Sequence, residues 1–230
     1  MKEIFSNSLF FGVALSIGTF ILGTAIKKRW NFFLFNPLLV AITITISTLL
    51  VLGIEYNDYN EGAKYITYLL TPATVALAIP LYEQLMLLRK NLTAIIAGIT
   101  SGVLCSGITI FAMSLVFGLD HTQYVTLLPK SITTAIGIGL ATELDAHVAI
   151  TVSAIIFTGL VGNIAGDLFC RMLGIKNPIA KGVAIGTASH VMGTSKAMEI
   201  GEIEGAMSSL SVAVAGAMTV GAAVLFENWI

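Results

Sequence analysis

The sequence predicts an all-α, polytopic helical membrane protein with broken or re-entrant helices and an internal repeat. Hydrophobic residues fill 56% of the 230 positions and charged residues only 11%, against about 25% charged in an ordinary soluble domain. Uncharged runs from Glu3 to Lys27, Arg29 to Glu55, Lys90 to Asp120 and Glu204 to Glu227 each hold the roughly 20 apolar residues that cross a bilayer as a helix. Between the long runs lie apolar segments interrupted by proline, glycine and hydroxyl residues: TPATVALAIPLY from Thr71, LLPKSITTAIGIGLATE from Leu127 and GTASHVMGTSK from Gly186. A helix broken at membrane depth is tolerated only where protein or a water-filled cavity replaces the lost backbone partners.

Taken in order, the first run, from about Ile4 to Ile26, is longer than a signal-peptide core and ends in Lys27-Lys28-Arg29 without a small-x-small cleavage site; it reads as a retained span. The three cations put the first connection in the cytoplasm and the amino terminus outside. A second span follows near Pro37 to Ile54. Glu55, Asp58 and Glu61 against a single Lys64 then form an acidic connection on the far side. A third segment, Tyr65 to Leu88, returns and closes at Arg89-Lys90. Pro72 and Pro80 mark breaks or bends in it, since proline costs about 3 kcal/mol in a regular helix interior; the plainer reading is a kinked packing helix.

Asn91 to Leu119 supplies a long span in which Gly98, Gly102 and Gly107 allow close helix approach. The Lys130 segment and a run from Ala146 to Gly166 come next, followed by Arg171, Lys176 and Lys181. If both segments crossed fully, those three cations would end on the outer face, against the positive-inside tendency. A Lys130 segment that enters without crossing resolves the conflict. From Gly182 to Glu204 the chain is too short and too polar for a convincing span and reads as a second re-entrant or interfacial element. Gly205 to Phe226 crosses.

Residues 1–230 therefore form one integral membrane domain. Residues 1–64 carry two N-terminal spans and residues 65–230 the motifs, with repeat units at 65–119 and 122–174. At an offset of 59 residues Thr74 meets Thr133, Ala76 meets Ala135, Ile79 meets Ile138 and Leu81 meets Leu140. Such matches are cheap in apolar sequence, but paired interrupted segments are the usual pointer to a secondary transporter's binding site. The residues leave open whether the repeats are inverted or parallel.

Net charge is −1, which gives no argument for nucleic acid. Cys105 and Cys170 read as small buried hydrophobes. Glu143 and His147 are spaced i, i+4, yet one pair without further ligands is a weak metal signal; no metal or cofactor is expected. No nucleophile–base pattern or phosphate-binding loop is present, so an enzyme is not expected.

The polar segments hold the candidate binding residues. Lys130 leads them, because an ammonium at membrane depth costs at least about 2.5 kcal/mol and needs a partner or a purpose. A small carboxylate suits it, with Pro129, Ser131, Thr133 and Thr134 supplying a helix start and hydroxyls; the alternative is a lysine snorkelling to the interface. Thr71, Pro72, Thr74 and Pro80 make up the matching segment. Ser189, His190 and Thr194 make up a third, in which His190 is either a donor to the anion or a satisfied structural histidine. Glu83, Glu199, Glu202 and Glu204 are candidate charge or coupling partners, although a solvated helix start explains the last three as well.

TPATVALAIPLY, LPKSITT at Leu128 and GTASHVMGTSKAMEIGEIEGAMSSL at Gly186 together resemble the LrgB/CidB family of bacterial membrane proteins, over nearly the whole chain. The resemblance implies an antiholin-like or holin-like protein of the bacterial cell membrane that modulates murein hydrolase activity and cell lysis, usually beside a smaller LrgA/CidA-type partner. Similar sequences form part of the plastid glycolate/glycerate transporter, and paired bacterial members are associated with pyruvate uptake. The resemblance thus implies a small monocarboxylate of the glycolate, lactate or pyruvate class, against a holin-like oligomeric pore without a specific substrate. The family often carries proline where this chain has Ala135. Glycine-rich spans add the expectation of a homo-oligomer, a dimer, in the lipid bilayer.

Overall fold

The protein, seen here as a computed structural model, is described over residues 10–30, 35–76 and 78–230; the side chains of Leu70, Thr71, Thr74, Pro80 and Leu81 lie outside the described set. Among the described residues the secondary structure is helical, with no strand. Four helices among the described residues are long and apolar enough to cross a membrane. The chain divides into two compact units, Met1–Ala76 and Leu77–Ile230.

The first unit contains α1 (Phe11–Arg29), α2 (Pro37–Leu52), α3 (Tyr56–Thr67) and α4 (Leu70–Ala76). Asn36 starts α2 by accepting from the backbone N–H groups of Leu38 and Leu39 at 2.9 and 3.3 Å, with Pro37 at the first helical position, where its missing N–H is no loss. Gly53, at φ 61°, ends it. The acidic stretch from Glu55 to Lys64, expected as a connection, is helical. It forms most of α3, and the reason lies in α1: Gly12 lets the Tyr59 and Ala63 backbone approach, and Ser16 Oγ hydrogen-bonds Tyr59 Oη at 2.6 Å. The expected third span, Tyr65 to Leu88, is likewise not one long helix but the end of α3 followed by α4, α5 (Ala78–Glu83) and α6 (Leu85–Lys90). Pro72 falls in the first turn of α4, where its missing N–H breaks no ladder.

The second unit continues with α7 (Leu92–Phe117), α8 (His121–Leu127), a 3-10 turn (Leu128–Ser131), α9 (Thr134–Glu143), α10 (Val148–Met172), α11 (Pro178–Ile200) and α12 (Glu202–Phe226), and ends in a 3-10 turn (Glu227–Trp229). Residue registers give the path of the chain. Gly98 faces Val183 and Gly102 faces Thr187, so α7 and the first arm of α11 run in the same direction. Thr100 donates to Met218 Sδ at 3.6 Å and Gly107 abuts Phe226, so α12 runs with them. Gly166, Gly162 and Gly159 of α10 meet Ile185, Ser189 and His190 in turn, which makes α10 antiparallel to that first arm.

At Ser189 (φ −137°, ψ 19°) and His190 (φ 44°, ψ −145°) α11 leaves helical geometry, and the registers reverse. Past the break Asn163 Nδ2 donates to the Met192 carbonyl at 2.6 Å and to Ser195 Oγ at 2.8 Å, and Ala197 packs with Cys170. The second arm now follows α10, and Gly205 meets Met198 as the chain turns into α12. Helix α11 is therefore a re-entrant hairpin that leaves by the face it came from.

The segment around Lys130 does the same from the other side. Asp120 opens α8 with a capping box, accepting from Gln123 N–H at 2.8 Å while its own N–H donates to Gln123 Oε1 at 3.1 Å. The chain breaks over Leu128–Ile132 and returns. His147 N–H donates to Thr126 Oγ1 at 3.0 Å, and Thr151 Oγ1 donates to the Thr126 carbonyl at 2.8 Å; Leu144 and Ala146 rejoin Tyr124, Val125 and Phe226. A hairpin followed by a crossing helix thus occurs twice, at residues 121–172 and 178–226, inserted from opposite faces. This recurrence is inverted, and it lies one unit further along than the sequence echo between 65–119 and 122–174. Arg89, Lys90, Arg171, Lys176, Lys181 and Lys196 gather at the face of the second hairpin, while Asp120, Glu143, Asp145 and Glu227 lie at the other.

Candidate functional site between two hairpin tips

The two tips meet near the middle of the helices that flank them. Tyr124, fully buried, anchors the first hairpin by donating from Oη to the Phe226 carbonyl at 2.8 Å. At its tip Pro129 and Ile132 are buried, and Lys130 and Ser131 are half-buried. Lys130 Nζ donates to Ser131 Oγ at 2.9 Å, and Ser131 Oγ lies 3.4 Å from Ser106 Oγ, midway along α7. Among the described ion pairs none includes Lys130. Among the described residues, the ammonium's hydrogen-bond partner is a neutral hydroxyl.

Helix α9 then begins at the tip. Thr133 occupies its N-cap position in extended conformation without accepting a side-chain cap bond, so the first-turn amides of Thr134 onward lack a side-chain partner there. Their dipole points toward the tip. Ile136 and Gly139, further along, are exposed.

The second tip is pinned by hydrogen bonds within the protein. His190, 3% exposed, places Nε2 3.0 Å from the Ile155 carbonyl, which fixes its hydrogen on that nitrogen. Ser189 donates to the Ile185 carbonyl at 2.6 Å. Thr194 donates to the His190 carbonyl at 3.0 Å and stands 2.8 Å from Ser208 Oγ. These three candidates hold the hairpin's shape. Ile155, wholly buried, also faces Gly137 of the first hairpin, so one residue of α10 touches both.

A cavity of about 20 Å³ lies between the tips; four hydroxyl residues, Ser131 from the first hairpin, Thr187 from the second, Ser106 from α7 and Thr219 from α12, line it together with glycines and apolar residues such as Val103, Leu128 and Phe226. Sequence reasoning missed Ser106 and Thr219, isolated hydroxyls in apolar helices, and did not single out Thr187 within the polar GTASHVMGT stretch; only the fold brings the three to Ser131. The volume admits a group about the size of one water.

Among the described residues, none of the other candidates lines this cavity. Pro72 is exposed on α4 in the first unit, and the side chains of Thr71, Thr74 and Pro80 are outside the described set. Glu83 is exposed on α5. Glu199 pairs with Lys196 at 2.7 Å, nine residues or roughly 14 Å of helix from His190. Glu202 is exposed, and Glu204 lies beside Gly201 in the same turn. Glu143 and His147 do not share a helix: Leu144 to Ala146 intervene, with Asp145 at φ 51°. Among the described residues no group of three or more His, Cys, Asp or Glu converges as a metal site would require.

The family model for the LrgB-like family matches residues 16–229. This chain belongs to the LrgB-like family. It is 40% identical over 214 residues to the antiholin-like protein LrgB of Bacillus subtilis, covering 93% of each chain. It is 39% identical over 222 residues, 96% of each chain, to the antiholin-like proteins LrgB of Bacillus cereus and Bacillus anthracis. No solved structure matches. This LrgB-like protein is thus a helical membrane protein whose family-wide segment includes both hairpins.

Proposed function

We infer that this LrgB-like protein carries a small monocarboxylate of the glycolate, lactate or pyruvate class across the bacterial cell membrane, and that its relatives' antiholin-like role in lysis and murein hydrolase control depends on that transport. One observation supports the reading above others. Two hairpins inserted from opposite faces bring an ammonium without a carboxylate partner, Lys130, and the uncapped start of α9 to mid-depth. A half-buried cation next to an uncapped helix start favours an anion, and opposed interrupted helices are the architecture in which a transporter alternates access to one site. Lys130, Ser131, Thr133 and Thr134 bind the carboxylate. Ser189, His190 and Thr194 keep the second tip in place. The cation-rich face of the second hairpin is the cytoplasmic one. The protein works as a dimer beside a smaller LrgA/CidA-type membrane partner.

The second reading is a holin-like pore without a specific substrate, prompted by the similarity to antiholin-like proteins of Bacillus. Uptake of radiolabelled glycolate, lactate and pyruvate, measured with dye leakage in the same proteoliposomes, separates the two. Saturable uptake in dye-tight vesicles, abolished by Lys130→Ala and partly kept by Lys130→Arg, is expected. Leak without saturation, or uptake indifferent to Lys130, overturns the transport reading.

A further inference from the structure

Several hydroxyl residues on the helices around the tips bond the preceding turn of their own helix. Ser189 donates to Ile185, Thr194 to His190, Ser209 to Gly205, Ser211 to Met207 and Thr100 to Ile96, all at 2.6 to 3.0 Å. Thr187 does not. Its Oγ1, like Ser114 Oγ on α7, is buried with no hydrogen-bond partner among the described residues, in a residue only 7% exposed; of the two, only Thr187 lines the cavity. Its methyl group is turned to α7, where a Cβ on Gly102 would stand 2.7 Å from Thr187 Cγ2. It lines the cavity that Ser131, Ser106 and Thr219 share, and Lys130 Nζ adjoins that wall through Ser131.

The chemistry of these walls selects an occupant. A neighbouring ammonium disfavours a cation, and an apolar group would leave Thr187 Oγ1 without a partner, which a buried hydroxyl tolerates poorly. A volume of about 20 Å³ holds one oxygen-sized group, not a whole organic acid.

We propose that Thr187 is the specificity-determining residue of this site, and that its hydroxyl bonds the oxygen on C2 of a 2-hydroxy or 2-oxo acid whose carboxylate lies at Lys130. This rests on the transport reading and goes beyond it. The protein selects acids by the C2 oxygen. Acids of equal length without that oxygen leave Thr187 unpaired and are rejected, as happens in sites built to hydrogen-bond a substrate hydroxyl.

The test is competition against labelled lactate uptake in proteoliposomes, comparing unlabelled lactate with propionate and glycolate with acetate. Wild-type protein is half-inhibited by lactate at about a tenth of the propionate concentration, and Thr187→Val, which keeps the volume, brings the two within about twofold, chiefly by weakening lactate. Thr187→Ser keeps the preference. Thr187→Ala repeats the loss should the valine variant fold poorly. Lys130-dependent uptake that lactate and propionate inhibit equally in the wild type, or a preference that survives in both Val and Ala variants, overturns this assignment and leaves the transport reading standing. Absence of acid-specific uptake in wild-type protein overturns both.

Discussion

His190 Nε2 and the Ile155 carbonyl oxygen, 3.0 Å apart, tie the tip of the second hairpin to α10 at the point where the first hairpin's Gly137 also rests. The bond holds a residue at φ 44°, a region that side chains other than glycine enter rarely. Contact with Ile155 thus opposes the backbone preference of His190.

His190→Ala removes the bond but not the unfavourable φ. It is expected to destabilise the protein by about 1–3 kcal/mol, the cost of a buried group left unpaired. His190→Gly loses the same bond while gaining freedom at positive φ, so its unfolding midpoint in detergent falls between those of wild type and the alanine variant. An alanine variant as stable as wild type would mean that the bond contributes nothing.

Backbone contact between α11 and α12 gives a second prediction. A Cβ on Gly186 would lie 2.8 Å from Ser208 Cα, and main chain cannot swing aside, so Gly186→Ala should cost about 1–3 kcal/mol as overpacking does. Gly139 on α9 has nothing within 4 Å of its Cβ position. Gly139→Ala should therefore be neutral or stabilising by up to about 1 kcal/mol. Monodisperse protein remaining after a heat step ranks the two, and the reverse order would contradict the packing.

Opposed insertion makes a topological prediction. With Cys105 and Cys170 replaced, cysteines at Gln123 and Asp145, exposed on the two arms of the first hairpin, are expected to react with an impermeant maleimide from one side of the membrane. Cysteines at Lys176 and Glu199, exposed at the two ends of the second, react from the other. Labelling of Gln123 and Asp145 from opposite sides would mean that the first hairpin crosses.

The hairpins were legible because sequence carries their cause. Arg171, Lys176 and Lys181 fall on the wrong face unless the Lys130 segment turns back, and GTASHVMGT is too polar and its segment too short to cross; the structure has both turns, at Leu128–Ile132 and at Ser189–His190. Helix α3 was not legible. Its acidic, tyrosine-rich composition reads as a connection, although Tyr59, Ala63 and Ile66 recur at helical spacing, and the helix is held through contacts with Gly12 and Ser16, which come from a distant part of the chain. Thr187 was hidden for a related reason: a threonine within a helix ordinarily bonds the preceding turn, and nothing in GTASH distinguishes the one that does not.

Two glycines one turn apart on α7 test whether the cavity wall matters apart from the hydroxyl itself. At Gly98 an added Cβ would meet Val183 Cγ1 at 3.3 Å, a contact that a small shift relieves, whereas at Gly102 it would meet Thr187 Cγ2 at 2.7 Å. Relief there requires Thr187 to rotate or move with its arm, and either motion re-aims Oγ1. Gly102→Ala is therefore expected to fold and to weaken half-saturation for lactate about two- to tenfold, the value of one hydrogen bond, without weakening inhibition by propionate. Gly98→Ala stays within twofold for both acids. Equal effects of the two substitutions, or a Gly102→Ala variant that loses both acids alike, would show that α7 supports the hairpin generally rather than setting the Thr187 hydroxyl.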